Sequence, residues 1–120
     1  MRLNSFEDYI DERIRFIKSV ISNNNTDPKF HLALNDFQWI KSKLDKEKSG
    51  EEISWDDIVS VVSPYMIKTY NLCIQNSNYD LLPLNMRLDA KNIANDLSKI
   101  YSDIISKCNK PFVSSLIFSI

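Results

Sequence analysis

A single glycine, Gly50, in 120 residues is the feature that most restricts what this chain can fold into. Glycine supplies the positive φ that two-residue hairpin turns require, so sheets joined by tight turns are poorly provided for. Phosphate-cradling loops and dinucleotide fingerprints need several glycines at set spacing and are excluded. The chain is therefore read for helices.

Helical periodicity begins at once. Ser5, followed three residues on by Asp8 with acids crowding the first turn, marks a helix N-terminus near Phe6. Phe6, Ile10, Ile14, Ile17 and Ile21 recur at three- and four-residue steps, widened by Tyr9, Phe16 and Val20, until the polar run 22–25. Asp27-Pro28 then gives a cap and a proline at the first helical position. Phe30, Leu34, Phe37, Ile40 or Lys41, and Leu44 mark the inward face of that second helix, with Leu32 and Trp39 off the line. The charged run 45–48 leads to a break at Gly50.

Ile53-Ser54-Trp55-Asp56-Asp57-Ile58 combines a capping box with a hydrophobic staple and predicts a third helix. Pro64 removes one internal hydrogen bond and disfavours helical geometry at Ser63, so this segment is expected to be kinked or split into two short helices reaching about Gln75. Residues 76–83 form the longest connection, expected to be packed down because it carries Leu81 and Leu82. From about Asn85, Met86, Ala90, Ile93, Leu97, Ile100 and Ile104 predict a long last helix ending before Pro111. The apolar strip from Phe112 reads as a short final helix or an extended segment. The expected fold is all-α, a compact bundle of about five helices forming one domain over 1–120.

Composition narrows the function classes. With 43% hydrophobic residues the chain can build a core unaided. Fifteen Lys and Arg against sixteen Asp and Glu give a net charge of −1, too balanced for a general nucleic-acid binder. A helix-turn-helix reader lacks its short helix pair with a glycine-containing turn. No signal segment opens the chain and no apolar run approaches the ~20 residues of a membrane helix, so a cytoplasmic location with no membrane partner is expected. Cys73 and Cys108 match no metal spacing and read as reduced, partly buried thiols.

The sequence carries no catalytic constellation. His31 is the only histidine, which rules out sites needing two imidazoles, and it reads as a helix-surface residue. All-α ribonucleases of the HEPN type need an Arg shortly before the His, and residues 24–27 are Asn-Asn-Thr-Asp. Carboxylates one turn apart at Glu7/Asp11, Asp8/Glu12 and Glu52/Asp56 suit Mg²⁺ and keep an all-α, Mg-dependent nucleotide hydrolase as an alternative, although helix N-termini attract acids for dipole reasons alone. Asp89, Asp96 and Asp103 read as one solvated stripe, partly offset by Lys99 and Lys107. No serine has a base and neither thiol an activating partner. The chain is expected not to be an enzyme and to need neither cofactor nor metal.

What remains has the character of a protein interface. Glu51, Glu52, Asp56 and Asp57 surround Trp55, an aromatic anchor ringed by carboxylates and suited to a basic surface, and Tyr79 with Asp80 forms a second such pair. The alternative for the first patch is that Trp55 packs on a neighbouring helix while the acids merely cap. The patch leads to the expectation of a protein-binding inhibitor: a bacterial immunity protein, or antitoxin, that blocks the active site of a basic toxin such as an RNase or DNase. A viral or phage helical modulator of host defence, binding an amphipathic partner helix in a Bcl-2-like groove, is the alternative among binding proteins.

Overall fold

The computed structural model describes residues 2–24 and 27–109. Among these the chain is all-α, with four helices and no strand: α1 (Phe6–Ser22), α2 (Pro28–Lys48), α3 (Trp55–Ser77) and α4 (Leu84–Ser106). Their packing divides the chain into two units, one of residues 5–54 and one that joins residues 2–4 to the chain from Trp55 onward. The apolar strip 112–120 lies outside the described residues.

In the first unit the predicted caps are in place. Ser5 Oγ accepts the Asp8 amide at 3.1 Å, and the Asp27 carboxylate accepts the Lys29 amide at 3.0 Å ahead of Pro28. α2 ends at Lys48, and Gly50 follows with φ of 90°, a value that favours glycine. Phe6, Tyr9, Ile10 and Ile17 of α1 and Ala33, Phe37, Ile40 and Leu44 of α2 are buried. Tyr9 meets Phe37 edge-on, with ring centroids 6.0 Å apart. Ile14, Ile21, Phe30 and Leu34, expected to point inward, are half-buried, because a two-helix contact is narrower than the apolar stripe.

A charged cluster fixes this hairpin from outside. Lys41 Nζ lies 3.0 Å from Glu7 and 2.9 Å from Asp11, and Lys48 reaches Glu7 at 2.6 Å. The Lys48 hydrogen bond, followed by that of Lys41, holds the Glu7 carboxyl below its usual range. The Asp11 hydrogen bond does most to raise the Lys41 ammonium. The Glu7/Asp11 pair thus has its charge met by lysine.

The second unit departs from expectation at Pro64. α3 is one helix through Pro64, and the predicted split is absent, so the described residues hold four helices where about five were expected. The ring displaces the bond to the Ser60 carbonyl, and Ser60 is exposed, so that carbonyl can turn to water. On the opposite side Ile58, Val59, Val62 and Met66 are buried against α4, each such side chain contributing about 1.5–3 kcal/mol. Ser63 Oγ donates to the Val59 carbonyl at 2.6 Å and lies 2.9 Å from Tyr101 Oη of α4. Packing outweighs the local defect.

α4 contributes Ala90, Ala94, Leu97, Ile100, Tyr101 and Ile104 to the core. Its aspartates are not one solvated stripe, because Asp96 is buried. Arg2 holds it bidentately, Nε to Oδ2 at 3.0 Å and Nη2 to Oδ1 at 2.8 Å, while the Leu3 amide donates to Oδ2 at 3.1 Å. This pairing docks residues 2–4 on α4 and buries Leu3.

Candidate protein-binding surface

Trp55 and Asp56 occupy the first turn of α3, where the end of α4 meets them. Lys107 Nζ sits 4.6 Å from the centroid of the half-buried Trp55 ring. An Asp56 oxygen accepts the Asn109 amide at 2.9 Å. Burial first, then the Asp56 carboxylate, pushes the Cys108 thiol up to about 11, so it stays protonated at neutral pH. Neither cysteine is in a disulfide, both are half-buried, and His31 is exposed on α2. Asp57 is exposed in the same turn of α3, and Glu51 and Glu52 are exposed in the connection that closes the first unit. Trp55 and Asp56 thus meet the end of α4, while Glu51, Glu52 and Asp57 are exposed.

Tyr79 and Asp80 lie at the other end of α3, about 33 Å from Trp55 along a helix of this length. The structure therefore separates the two candidate clusters. Asp80 is 97% exposed, with Arg87 Nη1 at the outer limit of an ion pair, 4.0 Å away. Arg87 is also engaged through Nε, which donates to the Leu82 carbonyl at 3.1 Å. Half of the Tyr79 ring is exposed.

Around this pair stands a feature that the sequence reading missed. Leu81 is 81% exposed, and Leu84, Met86 and Leu88, in the first turns of α4, are more than half exposed. The expectation that residues 76–83 are packed down fails at Leu81, and Met86, expected in the core, stands outside it. Backbone and side-chain hydrogen bonds close the turn in place of apolar packing: the Leu82 amide donates to the Tyr79 carbonyl at 3.0 Å, and Arg87 clasps the turn from α4. A signal was available in Leu-Leu-Pro-Leu at 81–84, an apolar run entering a helix with no side-chain cap.

Aromatics exposed elsewhere are covered differently. Arg13 lies 4.6 Å from the Phe16 ring centroid and Lys43 5.5 Å from that of Trp39. Each ring has a cation over its face, which shields apolar area from water. The aliphatic side chains of the turn have no such cover available to them, since a cation gains nothing from a leucine.

Among the described residues no three His, Cys, Asp or Glu side chains converge as metal ligands would. No described helix is long and apolar enough to cross a membrane. The chain matches no protein family, and no curated protein or solved structure is significantly similar to it. What can be said of its action thus rests on the surface just described.

Proposed function

We propose that the protein acts by binding another protein, through the turn end of the α3–α4 hairpin and not through catalysis. The observation that carries this reading is the concentration of Tyr79, Leu81, Leu84, Met86 and Leu88, all more than half exposed, within ten residues. Exposed apolar side chains scattered singly are ordinary on a soluble protein, whereas a group of them gathered in one place marks a contact surface. Tyr79 adds an amphipathic anchor and Asp80 an open carboxylate.

The narrower form of the reading is an inhibitor or antitoxin whose partner is a basic toxin or nuclease domain. In it, the apolar patch supplies the area of contact, while the exposed Asp80 beside it meets a cationic group of the partner. The test is retention of a partner by the immobilised protein, compared with the Leu81→Asp/Leu84→Asp variant. Both positions are exposed, so the variant keeps its helical circular dichroism. Loss of the retained protein in the variant is expected, and equal retention by both contradicts the reading. For the narrower form, retention weakens steeply as salt rises; a salt-independent complex contradicts it.

A further inference from the structure

The buried carboxylate of Asp96 sits about 18 Å along α4 from Leu84, well apart from the turn end. We infer that residues 2–4 are a displaceable strap, and that their seat on α4 is a binding site for an arginine followed by an aliphatic residue in an extended chain. The chain's own Arg2-Leu3 keeps that site occupied.

The present occupant defines what the seat takes. Arg2 Nη2 donates to Asp96 Oδ1, while Arg2 Nε and the Leu3 amide both donate to Oδ2. Two N–H donors in a rigid fork match a carboxylate in a way that an ammonium cannot, so the first position calls for arginine and not lysine. The Leu3 amide fixes the register of the backbone beside the carboxylate. Its side chain, 7% exposed, adds an apolar requirement at the second position.

The strap is also what covers the carboxylate. Asp89, Asp96 and Asp103 are spaced at close to two helical turns and follow one line down α4. Asp89 is half-buried and Asp103 exposed, and Asp96, where residues 2–4 dock, is the buried member of the line. Lifting the strap therefore returns Asp96 to water and strands no charge in the core. Residues 2–4 belong to no helix or strand, so their departure breaks no regular ladder. The core residues Ala94 and Leu97 lie about 100° or more round the helix from Asp96, and their packing does not depend on the strap. A strap joined to the same chain competes at high effective concentration, so a ligand from outside is weakened by the fraction of time the strap is closed. The site is self-inhibited.

Two measurements on the full chain test the inference. In hydrogen exchange of the wild type, the Leu3 amide is expected to be protected at least about tenfold less than that of Leu97, because the strap opens while the hairpin stays folded. Equal protection of the two overturns the inference. In the second, a fluorescein-labelled, C-terminally amidated peptide Met-Arg-Leu-Asn is titrated against Arg2→Ser/Leu3→Ser, which empties the seat, and anisotropy is read. Binding at least about tenfold tighter than to the wild type is expected. It is expected to fall at least about tenfold when Asp96→Asn is added, or when lysine replaces the arginine of the peptide. No binding to the emptied seat, or binding indifferent to Asp96→Asn, overturns the inference. So does loss of Leu97 protection in Arg2→Ser/Leu3→Ser, since residues 2–4 would then be part of the hairpin's fold and not a strap upon it.

Discussion

The two hairpins differ in how their exposed apolar surface is distributed: α1–α2 leaves one leucine open, Leu32, whereas α3–α4 gathers several at its turn end. In α1–α2, Phe16 and Trp39 stand at the surface with Arg13 and Lys43 over their faces, and Lys41, Lys48, Glu7 and Asp11 tie the helices together outside the core. In α3–α4 the core is largely aliphatic, two alanines of α4 are buried in it, and the leucines of the turn end are left open to water. Aromatic faces can be shielded by neighbouring cations of the same chain, and aliphatic side chains are shielded only by other apolar groups. The difference sets the turn end of α3–α4 apart as a cluster of exposed aliphatic side chains.

The largest effects come from the cores, where the contrast in packing can be broken directly. Phe37→Ala, which removes the ring packed edge-on to Tyr9, is expected to cost about 3–5 kcal/mol, and Leu97→Ala about 2–5 kcal/mol. Chemical denaturation of each variant measures both. A loss under about 1 kcal/mol at either site contradicts the burial assigned there.

Next in size is the docking of residues 2–4. Asp96→Ala frees Arg2 to water but strands the Leu3 amide, a loss of about 1–3 kcal/mol. Exchange of the Leu3 amide with solvent deuterium should accelerate in the variant, and unchanged exchange would contradict the clamp.

A smaller effect separates the first hairpin from the second. Glu7→Gln is expected to cost about 0.2–1 kcal/mol, because the cluster is partly exposed, and the loss should shrink with added salt. The Glu7 carboxyl is held below its usual value in the folded state. Its contribution is therefore present above that usual value and disappears as pH falls through the lowered folded one. Titration of stability from neutral to acid pH, in wild type and Glu7→Gln, should converge at low pH; a constant gap contradicts the assignment.

The smallest effect lies where the end of α4 meets the first turn of α3. Cys108, raised to about 11, is expected to react with iodoacetamide more slowly than an open thiol, and Asp56→Asn should speed it only modestly, because burial is the larger cause. A rate matching a free thiol would contradict the packing of the Asn109 turn over Asp56.

These contrasts also show what was legible in the sequence. Ser5, Asp27 and Gly50 announced their helix ends because capping chemistry is local, and the stripes through Phe37 and Leu97 announced their buried faces. Pro64 misled because its cost is local while the packing of Val62, Met66 and the Ser63–Tyr101 contact is not. Asp96 misled for the same reason: its partners, Arg2 and Leu3, are more than 90 residues away. Of the candidate site, Tyr79 and Asp80 were legible as a candidate contact pair on the long connection, though that connection was expected to be packed down. The leucines around them were not, because periodicity tells which side of a helix is apolar and says nothing of where the neighbouring helix stops covering it.

The most direct test of the central claim is hydroxyl-radical footprinting of the protein in native cell extract against the purified chain at high dilution. The account predicts that Tyr79, Leu81, Leu84, Met86 and Leu88 are protected in the extract while Phe16 and Trp39 label equally in both. Equal labelling of residues 79–88 in the two conditions would contradict it.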